Sequence, residues 1–331
     1  MSVLLPVRDG ARHLDEALES IVTQTLHDIE ILVVDDGSID DTGELLRSWS
    51  DRDPRIVGIQ QEPRGIVAAL EHARSLARGR FLARMDADDV ARPRRLEAQL
   101  ELLRRHPDLS GCGCRVRYFP RDVVRDGARR YEAWINGVVE PDEIERSIFV
   151  ECPLPHPTFF FRSDALASAG GYRETDGPED YELILRMWSQ GHRFGKVPQV
   201  LLDWREGEDR LSRTDPRYAP EAFLSTKVSY LRSNLLGRGR AVVIWGAGPV
   251  GKALSRALRE AGVPLRAFVE LDPRKIGQEI HGAPVVDTDD GLEIAGPLHL
   301  AAVGQEGARR KITELLRGAG RRAMEDFVAV A

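Results

Sequence analysis

The sequence predicts an α/β fold: a mainly parallel, doubly wound sheet, followed by a second, smaller α/β domain. Three observations support this prediction. Strand-sized apolar runs alternate with segments of helical period over roughly the first third of the 331 residues. The strands are continuously apolar instead of alternating, which is typical of parallel strands covered on both faces. The same alternation begins again near residue 240, with a strand followed by a glycine-rich turn and a helix.

The first half is expected to contain four strands, at 2–7, 30–36, 56–60 and 80–86. Four helices are expected to alternate with them, at 13–24, 40–50, 65–77 and 92–107. Asp41 or Thr42 suits the N-cap of the second helix, and Pro93 suits the first turn of the fourth. Repeated strand–helix units of this kind predict a parallel sheet.

The chain is less regular after residue 110. A short apolar strand is expected within 152–166, a helix at 177–191 and a connecting helix near 221–236. We therefore divide the chain into a first domain at 1–215, a helical linker at 216–238 and a second domain at 239–331.

Composition narrows the class of protein. The net charge is −6 and the arginines are scattered, so nucleic-acid binding is not expected. Apolar runs are strand-sized and no secretory leader follows Met1, which favours a cytoplasmic protein. Three cysteines cannot all pair, which fits a reducing compartment. Cys112 and Cys114 alternate along a strand without a His/Cys pair at zinc spacing, so core thiols are expected.

Three carboxylates, Asp86, Asp88 and Asp89, follow the fourth strand. Acids this close raise one another's pKa unless they share a cation. Mg²⁺ and Mn²⁺ take carboxylate oxygens and keep positions open for substrate phosphates. A D-x-D pattern alone is more typical of a solvated turn than of a cation site. The second strand also ends in an acid, Asp36, and ligands of such sheets bind beyond the carboxyl ends of the strands.

With these motifs the chain resembles the nucleotide-sugar glycosyltransferases of family 2, which have the GT-A fold. The resemblance rests on "VVDDGS" (33–38), "RMDADD" (84–89) and "PEDYE" (178–182) with their flanking segments, in the family's order, and covers about residues 2–212. It implies metal-dependent, inverting transfer of a sugar from a nucleotide sugar to an acceptor hydroxyl.

The resemblance also implies roles for individual residues. The residues implied to bind the nucleotide-sugar donor are Pro6, Val7 and Arg8 at the base, Asp36 at the uracil or ribose, Arg64 and Asp86. Asp88 and Asp89 would hold Mn²⁺ or Mg²⁺, and Asp180 matches the general base.

Other side chains receive weaker assignments. His156 and Glu179 could border the acceptor, but a half-buried histidine and a helix-capping glutamate are equally open interpretations. Gly207 and Glu208 fill the stretch in which family members often carry a histidine, so no third metal ligand is assigned. A second set of side chains is expected to lie on a solvated helix face instead of binding phosphates: Arg92, Arg94 and Arg95.

The sequence "GAGPVG" is a complete G-x-G-x-x-G motif between a strand and a helix, as dinucleotide binding requires. Gly246 would permit the turn, Gly248 would admit a phosphate and Gly251 would let the helix pack on the strand. Glu270 lies where an acid would bind a ribose. A site for NAD(P) or another nucleotide and a purely structural Rossmann-like unit both remain open.

The implied function is transfer from a UDP-sugar or similar donor to a polysaccharide, lipopolysaccharide or lipid-linked precursor. Two alternatives remain open: a nucleotide-sugar oxidoreductase or epimerase that uses the C-terminal unit, and a non-catalytic nucleotide-sugar-binding protein. The expected partners are the donor and a saccharide or lipid-linked acceptor. Association with the inner face of the membrane through that acceptor, and the oligomeric state, are left open.

Overall fold

The computed structural model describes residues 1–207, 210–237, 239–305 and 307–331, with Ser212 described by its backbone alone. The chain forms two compact units, each assembled from separate segments. The first unit comprises Met1–Glu145, Pro153–Thr175 and Arg186–Thr214. The second unit comprises Arg146–Cys152, Asp176–Leu185 and Asp215–Ala331. The three-part domain division expected from the sequence stays a prediction.

Strands and helices alternate in the first unit, and two of the helices are shared with segments of the second unit. The elements are β1 (Ser2–Val7), α1 (Ala11–Val22), β2 (Glu30–Asp35), α2 (Thr42–Arg52), β3 (Ile56–Gln60), α3 (Ile66–Leu76), β4 (Phe81–Arg84), β5 (Val90–Ala91), α4 (Arg95–Arg105), β6 (Leu109–Phe119), α5 (Asp126–Gly137), α6 (Pro141–Ser147), β7 (Phe160–Arg162), α7 (Ser163–Ser168), α8 (Glu179–Ser189), β8 (Arg193–Arg205) and α9 (Leu211–Thr214). The α/β class predicted from the sequence is confirmed.

These strands form one eight-stranded sheet in the order β3-β2-β1-β4-β7-β6-β8-β5. The four N-terminal strands are parallel, whereas β7 is antiparallel to both neighbours and β5 is antiparallel to β8. Val7 pairs with Asp35 in the β1–β2 ladder, and Leu4 pairs with Arg84 in the β1–β4 ladder. The carboxyl ends of β1, β2 and β4 therefore lie along one edge of the sheet, where ligands of such sheets bind.

The core of the first unit explains why these segments become parallel strands. Every residue of β1 is buried, so this strand is covered on both faces. Cys112 and Cys114 are fully buried within this core, which confirms that they are core thiols. Burial raises the pKa of Cys114 to about 11.

Two details of the helix starts differ from the sequence predictions. Helix α4 begins at Arg95, so Pro93 precedes the helix instead of lying in its first turn. The side chain of Asp41 makes no capping hydrogen bond at the start of α2. Asp40 accepts from the Thr42 N–H at 3.0 Å instead, because its carboxylate extends forward over the turn.

The second unit contains a smaller sheet. Its further elements are α10 (Pro220–Leu231), followed by a π-helical turn at Arg232–Leu236, then β9 (Val242–Trp245), α11 (Pro249–Glu260), β10 (Leu265–Val269), β11 (Glu279–Ile280), β12 (Ala283–Val286), α12 (Thr288–Glu293), β13 (Leu298–Ala301), α13 (Ala308–Gly318) and β14 (Phe327–Ala329). The strand order is β11-β12-β10-β9-β13-β14, parallel except for β11. This confirms the expected second α/β sheet. Across the described ranges, no helix has the length and apolar character needed to cross a bilayer.

Candidate active site

Three carboxylates meet directly after β4. Asp86, Asp88 and Asp89 each place one carboxylate oxygen within 4.8 Å of the others. Asp86 and Asp88 are half-buried, whereas Asp89 is only 2% exposed. The chain therefore concentrates three negative charges at the edge where the parallel strands end.

The end of β8 holds this cluster in place. The Arg205 N–H donates to Asp89 Oδ1 at 2.7 Å, and Arg205 Nε donates to the Asp88 carbonyl at 2.6 Å. Asp89 Oδ2 is buried and has no hydrogen-bond partner in the part of the chain that the structure describes. A buried carboxylate oxygen without a donor costs free energy unless a ligand reaches it.

The cluster is electrostatically unfavourable when all three carboxyl groups are ionised. Burial and the neighbouring Asp86 raise the pKa of Asp88 to about 6. Burial, followed by the charges of Asp88 and Asp86, raises the pKa of Asp89 well above its ordinary value. A shared divalent cation would offset this repulsion, and an all-oxygen set of carboxylates suits Mg²⁺ or Mn²⁺. The residues present therefore fit a hard divalent ion.

Two buried arginines lie beside the acids. Arg84 is 3% exposed and pairs through Nη1 with Asp86 Oδ2. Arg95 is fully buried and donates through Nη2 to the Arg84 carbonyl and through Nε to Gln99 Oε1 at 3.3 Å. The expectation that Arg95 lies on a solvated helix face was therefore wrong.

The other two arginines of that segment form ion pairs with acids outside the cluster, among the residues that the structure describes. Arg92 Nη2 pairs with Asp203 at 2.8 Å, and Arg94 pairs with Glu97 at 2.9 Å on the exposed face of α4. The solvated-face interpretation therefore holds for Arg94, while Arg92 ties the segment before α4 to β8.

A further arginine near the acids, Arg210, was not identified from the sequence. Its guanidinium lies 4.6 Å from the ring centre of Trp204 and 5.5 Å from that of Tyr118, and pairs with Glu206 at 3.3 Å. Its charge opposes the rise in the pKa of Asp88 and Asp89. Arg210 is thus a partly buried cation that reduces repulsion within the cluster. Glu208, considered above in connection with a third metal ligand, lies outside the described residues.

Asp36 lies at the same edge, directly after β2, and is 4% exposed. Its Oδ1 accepts from Gln61 Nε2 at 2.7 Å and from the Arg64 N–H at 2.8 Å, and its Oδ2 accepts from the Gly65 N–H at 2.8 Å. The carboxylate therefore fixes the turn before α3. A carboxylate offers about four acceptor positions, so these three donors leave room for one more.

The predicted residues at the end of β1 are placed differently from one another. Pro6 and Val7 are buried within the strand, and the Val7 carbonyl accepts from the Asp36 N–H at 2.8 Å. Arg8 has its side chain 56% exposed and lies 3.9 Å from the Asp9 carboxylate. Among these three, only the Arg8 side chain extends into solvent.

His156 opens a short 3₁₀ turn in the first unit, with its ring 4.9 Å from that of Phe159 and 5.8 Å from that of Tyr172. Burial, followed by the charge of Arg84, lowers the pKa of this imidazole well below its usual range. His156 is therefore a neutral ring in an aromatic setting near physiological pH.

Glu179 and Asp180 begin helix α8, in the segment that belongs to the second unit. Glu179 is 1% exposed and accepts from the Tyr218 hydroxyl at 2.6 Å. Burial and the charges of Glu179 and Asp180 raise the pKa of Tyr218. Asp180 is half-buried, and its Oδ1 accepts from the Tyr181 N–H at 2.7 Å. The pairing with Tyr218 was missed because the two residues are 39 positions apart.

The glycine turn of the second unit has the geometry its motif predicts. Gly246 has φ +109°, which side-chain-bearing residues rarely adopt. A Cβ on Gly251 would lie 1.9 Å from the Gly246 carbonyl oxygen, whereas one on Gly248 would meet nothing within 4 Å.

Glu270 lies beside this turn, and its carboxylate is already bound by the protein. It accepts from the N–H groups of Ala247 at 3.1 Å, Leu271 at 2.9 Å and Asp272 at 3.4 Å, and from Lys275 Nζ at 2.9 Å. Although burial opposes it, these bonds lower the pKa of Glu270. The four donors fill the acceptor positions that a ribose would require.

Comparison with known proteins places residues 2–169 in a match to the family model described as Glycosyl transferase family 2. The chain is 31% identical over 224 residues to the putative glycosyltransferase EpsE of Bacillus subtilis (strain 168), covering 66% of this chain and 77% of that relative. It is 29% identical over 215 residues to the amylovoran biosynthesis glycosyltransferase AmsE of Erwinia amylovora, covering 64% and 78%.

A third relative is the O-antigen biosynthesis glycosyltransferase WbnJ of Escherichia coli, 26% identical over 209 residues and covering 62% of this chain and 79% of the relative. Among solved structures, S. aureus TarS 1–349 in complex with UDP-GlcNAc matches with a TM-score of 0.56. That match has 16% identity and covers 70% of this chain and 66% of that one, so it supports the fold alone.

Proposed function

This chain belongs to glycosyltransferase family 2, and on that premise we propose that it transfers a sugar from a UDP-sugar to a hydroxyl group of a polysaccharide, lipopolysaccharide or lipid-linked precursor. The acceptor class is supported by relatives that are named for amylovoran biosynthesis and for O-antigen biosynthesis. The enzyme class follows from the family; the donor and acceptor are the proposal.

The observation that carries the proposal is the cluster of Asp86, Asp88 and Asp89 at the carboxyl edge of the sheet, with carboxylate oxygens within 4.8 Å of one another. Asp88 and Asp89 would hold Mn²⁺ or Mg²⁺, which as a Lewis acid stabilises negative charge growing on a leaving diphosphate. Asp86, whose side chain is 28% exposed, would face the donor.

The hydrogen bonding of Asp36 favours uracil as the base of the donor nucleotide. With three donors already bound to its carboxylate, one acceptor position remains for the donor nucleotide. Uracil presents a single ring N–H, whereas guanine presents a ring N–H and an adjacent amino group that suit an open, bidentate carboxylate. Arg64 contributes its backbone to this turn, and its own side chain is exposed.

Asp180 is proposed as the general base. As the acceptor oxygen attacks the anomeric carbon, its proton passes to the Asp180 carboxylate and the bond from that carbon to the diphosphate breaks. One displacement of this kind inverts the anomeric configuration. Glu179, bound to the Tyr218 hydroxyl, and His156, a neutral ring, are proposed to border the acceptor.

The proposal is tested by a thermal-shift screen of UDP-, GDP- and TDP-sugars with Mn²⁺, followed by turnover assays on the hits. We expect a UDP-sugar to stabilise the protein most and to release UDP when a saccharide or lipid-linked acceptor is present. Stabilisation by GDP-sugars alone would contradict the uracil assignment. Binding of the donor without any UDP release, across a broad set of acceptors, would support a non-catalytic binding protein instead.

The oxidoreductase or epimerase alternative gains no support from the second unit. The ribose-binding acid that it requires, Glu270, is already bound to Lys275 and to backbone N–H groups. The glycine turn is proposed to have a structural role, closing β9 onto α11.

A further inference from the structure

Arg84 is the last residue of β4 and precedes Asp86 by two positions. Residues two apart on an extended segment point to the same side, and the guanidinium pairs through Nη1 with Asp86 Oδ2. Only 3% of the Arg84 side chain is exposed, against 28% of the Asp86 side chain. The buried Arg84 side chain thus fixes the position of the more exposed Asp86 carboxylate.

Burying an arginine is costly unless its charge is paired and its N–H groups are bonded. Among the residues that the structure describes, the buried Nε and Nη1 atoms of Arg84 have no hydrogen bond of regular geometry, although Nη1 forms the ion pair with Asp86 Oδ2. Its compensation therefore depends mainly on the carboxylate of Asp86, with a further electrostatic contribution from Asp89. Although burying the Arg84 guanidinium is costly, it gives the edge of the site a fixed positive charge beside Asp86.

The consequence differs among the three carboxylates. The charge of Asp86 is partly offset by Arg84, so its attraction for a cation is weakened. Within the described part of the chain, Asp88 forms no ion pair with an arginine, and Asp89 keeps one buried oxygen without a donor. These two acids therefore keep their capacity to bind a cation, whereas Asp86 keeps one oxygen free to accept a hydrogen bond.

We infer that Arg84 is a positioning residue: its ion pair removes Asp86 from cation binding and orients that carboxylate toward the nucleotide, leaving Asp88 and Asp89 to hold the metal ion. This inference rests on the proposed function. Arg84 acts through Asp86 and does not itself contact the substrate.

A charge-neutral double variant provides the sharpest test. Arg84→Met/Asp86→Asn removes the pair as one unit and leaves no unpaired buried charge. Mn²⁺ binding to the free protein is measured by calorimetry and by electron paramagnetic resonance. We expect the double variant to bind Mn²⁺ within about threefold of the wild type, because a neutral pair replaces a neutral pair. Asp88→Asn, which removes a proposed ligand, should weaken Mn²⁺ binding by roughly tenfold or more.

The single variants test the coupling. Arg84→Met leaves Asp86 unpaired beside the metal site, so Mn²⁺ should bind about tenfold more tightly to this variant. UDP binding in saturating Mn²⁺ should instead weaken, because Asp86 is no longer held in place. A general loss of structure would weaken both. In the Asp86→Asn background, Arg84→Met should have no further effect on UDP affinity, as a double-mutant cycle reports.

Arg95→Met provides a matched control, since it also removes a fully buried arginine beside the acids but one that contacts the Arg84 carbonyl instead of Asp86. Its effect on UDP affinity should add to that of Asp86→Asn. The inference is overturned if the double variant loses as much Mn²⁺ affinity as Asp88→Asn, or if the Arg84 and Asp86 effects on UDP binding are additive. A wild-type protein that binds neither Mn²⁺ nor UDP would overturn the proposed function, and with it this inference.

Discussion

Replacing Asp88 with asparagine should make the metal-free protein more stable at neutral pH, although it removes a proposed metal ligand. Burial and the charge of Asp86 raise the pKa of Asp88 from 3.8 to about 6. A carboxyl group whose pKa is higher in the folded than in the unfolded chain opposes folding once it is ionised. Asparagine keeps a similar shape and carries no charge.

The magnitude follows from that pKa. At 1.36 kcal/mol for each pH unit between 3.8 and about 6, the ionised group costs the fold about 3 kcal/mol. The penalty is absent below pH 3.8, where both states are protonated, grows as the pH rises, and is complete above about pH 6. For a unit of this size, about 3 kcal/mol corresponds to roughly 6–12 °C in Tm.

The assay is thermal unfolding of the wild type and of Asp88→Asn in EDTA at pH 7.5 and at pH 4. Asp51→Asn, which removes an exposed carboxylate from α2, serves as the control. We expect Asp88→Asn to have the higher Tm at pH 7.5, a much smaller advantage at pH 4, and a smaller gain than the wild type on addition of Mn²⁺. An Asp88→Asn protein that is less stable than the wild type in EDTA at pH 7.5 would refute the electrostatic account of the cluster.

Three further predictions follow from the same structure. Asp180→Asn should retain UDP binding but lower sugar transfer by about 10²–10⁴-fold in steady-state assays; full activity would refute its assignment as base. NAD⁺ should leave the Tm unchanged, because the carboxylate of Glu270 is filled by four protein donors, and a clear NAD⁺-dependent rise would contradict this. Gly251→Ala should destabilise the second unit by about 1–3 kcal/mol in denaturant unfolding, because the new Cβ would lie 1.9 Å from the Gly246 carbonyl oxygen. Gly248→Ala is the control and should be nearly neutral, because its Cβ would meet nothing within 4 Å.

Local patterns in the sequence were sufficient for the sheet and for the acidic cluster. Continuous apolar runs gave β1 and β2 within a residue or two of their ends, because strands covered on both faces leave no polar alternation. The edge strand β3 was also located within a residue or two, although most of its residues are at least partly exposed. The position of Asp86–Asp89 after a strand placed them at the carboxyl edge without any knowledge of the tertiary structure.

The burial of Arg95 shows where a prediction based on local charge was wrong. Three arginines that lie close together in this segment predict a solvated face that would include Arg95. Its spacing to Gln99 and Leu103 is four and eight residues, so these side chains share one helix face, and all three are buried. The four-residue spacing therefore indicated that Arg95 lies on the buried face of the helix, but the charge of the three arginines favoured an exposed one.

Other contacts could not be read from the sequence at all. The Asp36 carboxylate meets Gln61 and Arg64, 25 and 28 residues away, and Glu179 meets Tyr218. Nothing in the local pattern pairs such residues, since their meeting depends on how strand ends and loops are brought together. The donors bound to Asp36 and Glu179 therefore emerged only with the structure.

The central claim, that the acids after β4 serve metal-dependent sugar transfer, is tested most directly by UDP release from the donor found in the screen, with acceptor present. The wild type should lose activity in EDTA and regain it with Mn²⁺ or Mg²⁺, whereas Asp88→Asn should remain inactive after the same addition. Undiminished UDP release in EDTA, or full activity of Asp88→Asn, would contradict the account.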